Sequence, residues 1–363
     1  MINLIVFIFI ALILTFPVQN PFGARKDLGL IDYDDLKEIS GMASSRVLDD
    51  IFWVHNDSGN ENKIFAIDRK GKLRAVFTLQ GIGFIDTEDI AVGPGSVAGK
   101  HYVYLADIGD NGATRETKYI YRISEPVFHL SDTVFKSVIG NIDVLSFSFP
   151  DGKRDAETIM IDPISRDIVI VSKREKHVHV YSSPIPGSGS STIQFEKITE
   201  LPFGNEGYNN SGVTAGDISF DGNELLIKTY SKVYYYHRES GETLTDLLSH
   251  PPVPVDYIFE PQGESICFGA DGEGFYTTSE MSPLKVVPHL YFYSRLASGI
   301  NDGGVLDNKG FKKELKPQKT EIFNINGIKV HNSDRTENLN AGLYFLKYTF
   351  DDTAFIRKLL IVK

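Results

Sequence analysis

Short apolar runs, separated by turns that contain Gly, Asp and Pro, follow one another from about residue 28 to residue 295. Alternating and short continuous apolar runs bounded by such turns are typical of β strands. No stretch of the body shows a sustained helical period. The clearest predicted strands are 51–54, 64–67, 102–105, 119–122, 168–171, 178–181, 224–228, 233–236, 275–278 and 290–293.

One short pattern, in which an acidic or small residue stands two positions before an apolar one, recurs five times along this body. Aligning the five copies on their apolar residue gives spacings of 48, 69, 59 and 48 residues; the aligned residues are Met42, Ile90, Ile159, Ile218 and Ile266. Repeats of this length that each hold several strands predict the blades of a β-propeller. The fold class is therefore all-β, a propeller followed by a small β-sandwich-like C-terminal domain.

The number of blades is predicted as five, with six as the alternative, because the 69-residue interval leaves room for extra strands around 135–149. The fifth repeat lacks a fourth strand of its own. A strand predicted at 28–33 precedes the first repeat and has no blade of its own. We therefore expect the N-terminal strand to complete the last blade and close the ring.

Propeller connectivity predicts where polar residues gather, because the innermost strand of each blade begins on the face where the second strand ends. Carboxylates at the starts of the innermost strands are the predicted metal ligands: Asp86, Glu88, Asp155, Glu157, Asp217 and Glu264. Residues at the ends of second strands and in the following loops are the predicted ligand-binding set: His55, Asn56, Asp57, Asp107, Asp110, Asn111, Arg115, Lys173, Arg174, Tyr230 and Glu280.

A ring of carboxylates around one axis repels itself, so it raises some pKa values or holds a cation. Oxygen ligands in a wide, irregular ring favour calcium over magnesium. The alternative is that these acids cap turns or pair with Arg115, Lys173, Arg174 and Lys228. His55 is a candidate general base. The chain has no G-x-S-x-G, H-E-x-x-H or phosphate-binding glycine motif, so the catalytic residues stay unassigned.

The composition narrows the partners further. A net charge of −11 argues against binding to the phosphates of a nucleic acid. Aromatic residues make up 12% of the chain, which is ample material for a β core. The one cysteine, Cys267, allows no intramolecular disulfide and lies in an apolar run, which predicts a buried core residue. We expect a monomer.

The N-terminus reads as an export signal, because residues 2–16 are almost unbroken apolar residues. Cleavage is expected between residues 20 and 24, and a retained membrane anchor is the alternative. The predicted organisation is a signal peptide over 1–24, a propeller over 25–297, a Gly-, Asn- and Asp-rich linker over 298–318 and a small β domain over 319–363. Asn326-Gly327 predicts a hairpin turn in that last domain.

Five segments of the body carry a resemblance: 40–42, 87–91, 104–111, 155–157 and 263–266. They are similar to a group of secreted bacterial β-propellers of uncharacterised activity and, more distantly, to the esterase-like phytase domain. The phytase resemblance implies calcium-dependent hydrolysis of phosphate esters, with Lys173, Arg174 and Lys228 as the basic contacts to phosphate.

The tail carries a second resemblance, in segments 321–330, 339–347 and 356–363. These resemble the C-terminal sorting domain of the type IX secretion system. The resemblance implies export by that outer-membrane machinery, and hence a protein that is secreted or held on the outer surface of a Gram-negative bacterium. Two functions stay open: a calcium-binding propeller that recognises an extracellular ligand through its acidic face, or a calcium-dependent phosphoesterase.

Overall fold

A computed structural model describes residues 20–31, 33–203, 212–281 and 287–296, together with strand segments farther along the chain. It divides the chain into two compact units, Met1–Arg295 and Leu296–Lys363. Residues 1–19 of the signal peptide predicted over 1–24 lie outside the described residues. Within the described residues, no helix has the length and apolarity needed to cross a membrane.

The first unit is a five-bladed β-propeller. Blade one contains β2 (Ile39–Ser44), β3 (Ile51–Asn56), β4 (Lys63–Asp68), β5 (Leu73–Leu79) and, parallel to β5, β9 (Phe135–Ile139). Blade two contains β6 (Thr87–Pro94), β7 (His101–Asp107), β8 (Lys118–Ser124), β10 (Asp143–Phe147) and the short β14 (Ser191–Thr192).

Blade three contains β11 (Ala156–Asp162), β12 (Asp167–Ser172), β13 (Val178–Pro184) and β15 (Glu196–Leu201). Blade four contains β16 (Val213–Ile218), β17 (Glu224–Thr229), β18 (Val233–His237) and β19 (Val253–Val255), with the short helix α1 (Leu244–Ser249) between its last two strands. Blade five contains β20 (Ser265–Phe268), β21 (Gly274–Thr278) and β22 (His289–Arg295), and its outermost strand is β1 (Phe22–Leu30).

The blade count is therefore five, and the 69-residue interval holds extra strands rather than a sixth blade. The strands β9 and β10, which lie in that interval, join blades one and two. The innermost strands β2, β6, β11, β16 and β20 pack against one another in a closed circle.

Five apolar clusters fill the five interfaces between neighbouring blades. Each cluster draws buried residues from the two blades that face each other, such as Ile90 and Trp53 between blades one and two. A single blade has two apolar faces, so it is stable only when both are covered. The closed ring covers every face, and Cys267 is buried in this core as predicted.

The N-terminal strand closes the ring, as expected, but it begins earlier than the apolar pattern indicated. The strand β1 pairs with β22 from Phe22 onward, rather than starting at residue 28. Its polar residues Arg25, Lys26 and Asp27 conceal it in the sequence, because one side of an edge strand faces solvent. Phe22 is buried against Phe275, with ring centroids 4.8 Å apart. The predicted boundary between residues 24 and 25 thus falls inside a strand of the propeller.

An irregularity recurs at the start of the innermost strands and shapes one end of the channel. The register shifts between Ile39 and Gly41, Thr87 and Asp89, Ala156 and Thr158, and Val213 and Ala215. Each shift leaves one extra residue, as in a β-bulge, and such bulges re-aim side chains. The extra residues are Ser40, Glu88, Glu157 and Thr214, and Glu264 precedes β20 at the corresponding place in blade five.

The register corrects the alignment of the fourth repeat. In blade three Ile159 pairs with Ile170, and the corresponding pair in blade four is Gly216 with Ile227. The fourth copy of the repeat is thus displaced by two residues, with Gly216 rather than Ile218 at the aligned position. The sequence signal failed here because the aligned position holds a glycine, while the next apolar residue lies two positions further on.

The second unit is described here only through its strands. β25 (Lys319–Asn324), β26 (Lys329–His331), β27 (Gly342–Phe350) and β28 (Thr353–Ile361) form one antiparallel sheet in the order β26-β25-β27-β28. β23 (Val305–Leu306) and β24 (Lys312–Lys313) pair within the predicted linker. β25 and β26 are antiparallel neighbours, as a hairpin requires. The turn predicted at Asn326-Gly327 lies outside the described residues.

Candidate cation site at the acidic mouth of the channel

One end of the central channel, where the innermost strands begin, carries a cluster of carboxyl groups. We call this end the acidic mouth. Its acids include Asp57, Asp86, Glu88, Asp155, Glu157, Glu264 and Glu280. The bulges supply Glu88 and Glu157, while Asp57 and Glu280 follow the ends of second strands.

Backbone hydrogen bonds hold these two sets of residues together at the mouth. The amide of Asp57 donates to the carbonyl of Glu38 at 2.7 Å, and the amide of Glu280 donates to that of Gln262 at 3.0 Å. In blade three the amide of Lys173 donates to the carbonyl of Asp155 at 3.0 Å. The start of the innermost strand and the end of the second strand therefore meet at one rim, as propeller connectivity predicted.

The carboxylates form two groups that share Glu88. One oxygen each from Asp57, Asp86 and Glu88 lie within 4.8 Å of one another, and so do one oxygen each from Glu88, Asp155 and Glu157. We call these the outer group and the inner group. Separations of this size suit the coordination sphere of a calcium ion, whose oxygen ligands lie 2.3–2.6 Å from the metal.

Glu88 is the acid with the fewest partners. Its residue is 7% exposed, yet among the described residues its carboxylate accepts no hydrogen bond and forms no ion pair. Buried carboxylates without a partner are rare, because their desolvation is not offset. Burial and the charges of Glu157, Asp57 and Asp86 raise the pKa of Glu88 well above its usual value. A cation would supply the missing partner.

Gly109 makes room for these carboxylates. A Cβ atom built on Gly109 would lie 2.5 Å from Asp86 Oδ2 and closer still to Glu88 Oε1. Real Cβ atoms do not approach other atoms so closely, so any side chain at this position would displace the two carboxylates. The sequence analysis did not select Gly109, although it lies in the segment 104–111 that carried the resemblance. A glycine between Ile108 and Asp110, directly after a strand, was the available signal.

The two groups differ in their internal cations. In the inner group, Lys173 Nζ lies 2.7 Å from Glu157 Oε1, and Arg174 Nε lies 2.5 Å from Asp155 Oδ2. The amide of Asp110 also donates to Asp155 Oδ1 at 2.7 Å. In the outer group, Asp57 accepts a hydrogen bond from the amide of Ser58 at 2.6 Å, and the Ser58 side chain hydrogen-bonds to Asp86. No lysine or arginine within the described residues forms an ion pair with the outer group.

A second carboxyl pair lies at the blade five side of the mouth. Glu280 and Glu264 hydrogen-bond to each other, and burial together with the charge of Glu264 raises the pKa of Glu280 to about 9. The hydroxyl of Tyr230 donates to Glu264 Oε1 at 2.6 Å. Burial thus favours the protonated form of Glu280, which reduces the repulsion between the two carboxyl groups.

The loop after β7 supports the mouth. Arg115 Nη2 lies 2.7 Å from Asp107 Oδ1, and Lys118 Nζ lies 2.9 Å from Asp110 Oδ2. Arg115 also donates to the carbonyl of Gly109 at 2.7 Å. Asn111 accepts a hydrogen bond from Arg174 in the next blade. Asp107, Asp110 and Arg115 therefore hold Gly109 in place, while exposed Asn111 borders the inner group.

Three predicted site positions are placed in the interior of the propeller. The ring of His55 is fully buried, its Nδ1 lies 2.8 Å from the carbonyl of Asn56, and burial lowers its pKa to about 4. The side-chain amide of Asn56 donates through Nδ2 to the backbone carbonyl of Asp35 at 2.6 Å. Lys228, the third basic residue named by the phytase resemblance, is fully buried and donates to the carbonyls of Gly263 and Thr229. A buried, neutral imidazole is not placed to act as a general base at the mouth.

Asp217 lies outside both carboxylate groups. Its Oδ2 accepts a hydrogen bond from the amide of Phe268 at 2.8 Å, which joins blade four to blade five. Burial raises its pKa to about 6, and Arg46 opposes that rise. The displaced fourth repeat explains the difference, because Thr214, not an acid, occupies the bulge in blade four.

The opposite end of the channel has different chemistry. Phe220 follows β16 of blade four, yet its ring lies 6.1 Å from the ring of His101 in blade two. The guanidinium carbon of Arg46, which follows β2 of blade one, lies 5.0 Å from the centre of the same ring. Phe220 therefore lies across the end of the channel opposite the acidic mouth, in contact with residues of two other blades.

Comparisons with known proteins find only distantly similar solved structures. The chain matches no protein-family model and no curated protein. Solved structures similar to it include the RRP9 WD40 repeats, with 11% identity, a TM-score of 0.36 and coverage of 71% of this chain and 80% of that one. The Myceliophteria thermophila Cps50 (Swd1) β-propeller domain shows 10% identity, a TM-score of 0.37 and coverage of 71% and 84%. A chain of the nidogen/laminin complex shows 11% identity, a TM-score of 0.36 and coverage of 66% and 72%.

Proposed function

We propose that this protein is a secreted or cell-surface β-propeller that binds calcium at its acidic mouth and uses that end to recognise an extracellular ligand. The observation that carries the proposal is Glu88, a buried carboxylate without a partner among the described residues, which lies in a group with Asp57 and Asp86. Calcium takes six to eight oxygen ligands. Three carboxylates leave coordination positions for water or for the oxygens of a ligand.

Thermal unfolding of the full chain in calcium and in chelator tests this proposal. A ligand at about 100 times its Kd stabilises the folded state by about 2.7 kcal/mol, which for a domain of this size raises Tm by roughly 5–10 °C. Glu88→Gln should abolish the shift, because it removes the one carboxylate shared by both groups. The matched control Glu239→Gln changes an exposed acid away from the mouth and should keep it. An unchanged Tm on adding calcium to the wild-type protein would refute the proposal.

The phosphoesterase alternative has less support. Its three basic contacts to phosphate are already engaged: Lys173 with Glu157, Arg174 with Asp155 and Lys228 with backbone carbonyls. A surplus of carboxylates also repels a phosphate anion. We therefore expect no turnover in a phosphoester screen, with or without calcium. Calcium-dependent release of phosphate would restore the alternative.

The extracellular location rests on the apolar N-terminal run and on the resemblance of the tail to a type IX sorting domain. Deleting 319–363 in a host that has the type IX machinery should leave the propeller inside the cell envelope, while the intact chain reaches the surface or the medium. Because β1 begins at Phe22, we place signal cleavage before that residue. N-terminal sequencing of the exported protein tests this placement, and removal of Phe22 would contradict it.

A further inference from the structure

The inner group has the carboxylates of a cation site. It differs from the outer group because lysine and arginine side chains already pair with two of its three carboxylates. Each group holds three carboxylate oxygens within 4.8 Å of one another, and Glu88 belongs to both. Asp155 has both oxygens engaged, one by Arg174 and one by the amide of Asp110. Glu157 has its Oε1 engaged by Lys173. Only the shared Glu88 lacks a partner among the described residues.

Lys173 is held at this place from several sides. It follows β12 directly, its backbone amide is bonded to Asp155, and its side chain is about nine-tenths buried. Besides Glu157 Oε1 at 2.7 Å, Nζ donates to the hydroxyl of Tyr230 at 3.3 Å. Tyr230 in turn donates to Glu264. A buried ammonium in such a network behaves as a fixed positive charge rather than as a mobile surface lysine.

We propose that the mouth holds one calcium ion, bound by Asp57, Asp86 and Glu88, and that Lys173 occupies the inner group as a built-in cation. Removal of Lys173 then creates a second calcium site at Glu88, Asp155 and Glu157. The first half rests on the proposed function. The second half does not, since it concerns only what the lysine excludes.

The proposal bears directly on the choice between binding and hydrolysis. Two-metal hydrolases place two ions about 3.5–4 Å apart to stabilise both the attacking and the leaving oxygen. Two adjoining carboxylate groups that share one residue would suit such a pair of ions. With Lys173 in the inner group, the protein has one ion and a fixed ammonium instead, which suits the recognition of a ligand.

Calcium titration calorimetry on the full chain tests the proposal. We expect one bound calcium per chain for the wild-type protein and two for Lys173→Gln. Lys173→Arg, which keeps the positive charge, should stay at one. The matched control Lys63→Gln removes a lysine that pairs with exposed Glu61 and should also stay at one. Glu88→Gln combined with Lys173→Gln should bind none, because both groups lose their shared ligand.

The outcomes separate this inference from the proposed function. Two ions in the wild-type protein, or one ion in both the wild type and Lys173→Gln, would overturn the inference and leave calcium binding intact. No ion in the wild-type protein but one in Lys173→Gln would overturn the proposed function and support the role of Lys173. No binding in either protein would overturn both. If Lys173→Gln folds only in calcium, the dependence of its Tm on calcium concentration replaces the stoichiometry, and it should be steeper than that of the wild type.

Discussion

Glu88 and Asp89 are neighbours in sequence on β6, both are buried carboxylic acids, and their surroundings are opposite. Asp89 Oδ1 accepts from the amide of Ile90 at 2.8 Å, and Oδ2 accepts from the amide of Ile159 in the next blade at 3.0 Å. Glu88, on the other side of the strand, has no such donor among the described residues. The comparison teaches that burial alone does not mark a functional acid. The donors that each acid faces must be considered as well.

The largest expected effect comes from removing the satisfied acid. Asp89→Ala leaves the amide of Ile159 without its acceptor at a buried blade interface, and an unsatisfied buried donor costs about 1–3 kcal/mol. We expect a loss of about 3 kcal/mol in the free energy of unfolding, including lost packing, in calcium and in chelator alike. Urea denaturation measures it. The control Asp132→Ala changes a fully exposed carboxylate and should have no effect; a loss confined to chelator would mean that Asp89 belongs to the cation site.

The next effect is on pH dependence, and it concerns the mouth acids. Burial is the main cause of the raised pKa values of Asp57, about 6, Glu157, about 7, and Glu280, about 9. A carboxyl group whose pKa is higher in the folded state binds protons more tightly there, so folding is favoured at low pH. In chelator, the free energy of unfolding should fall as pH rises from about 5 to about 9. Calcium should flatten this fall; a stability that rises with pH in chelator would contradict the assignment.

A smaller effect, of opposite sign, should follow from neutralising the acid without a partner. In chelator, Glu88→Gln removes a charge that Asp57, Asp86 and Glu157 repel, so the variant should be more stable than the wild type by about 1 kcal/mol. In calcium the order should reverse, because the variant gains nothing from the ion. Paired thermal melts in the two conditions measure the reversal. A variant that is less stable in both conditions would show that Glu88 has a structural partner.

The smallest effect concerns the glycine that accommodates the carboxylates. Gly109→Ala should displace the ends of the Glu88 and Asp86 side chains and weaken calcium binding about threefold, about 0.7 kcal/mol. Gly83→Ala is the matched control, because a Cβ there meets nothing within 4 Å. Calorimetry on both variants gives the ratio of the two Kd values. Equal affinities would show that the space beside Gly109 is not required by the site.

The sequence repeat predicted the propeller because each blade repeats the same set of strands at a regular interval. The acids at the mouth could be predicted because they recur at the start of the innermost strand of several blades. The repeat in blade four was misaligned because its repeated positions hold Gly216 and Thr214, where the other blades have an apolar residue and, in most cases, an acid. Asp57 was expected among ligand-binding residues, and it joins Asp86 and Glu88 in the outer group. Partners across blades, such as Lys173 with Tyr230, depend on side-chain directions that no local pattern encodes.

Closure of the ring by β1 also fixes where the chain enters and leaves the propeller. Phe22, at the start of β1, is the register partner of Arg295, at the end of β22. Both positions lie at the end of blade five opposite the start of β20, which follows Glu264. The chain thus enters and leaves the propeller at one corner, on the side away from the acidic mouth. A tether attached at either end of the propeller would lie on the side opposite the acidic mouth and leave the mouth uncovered.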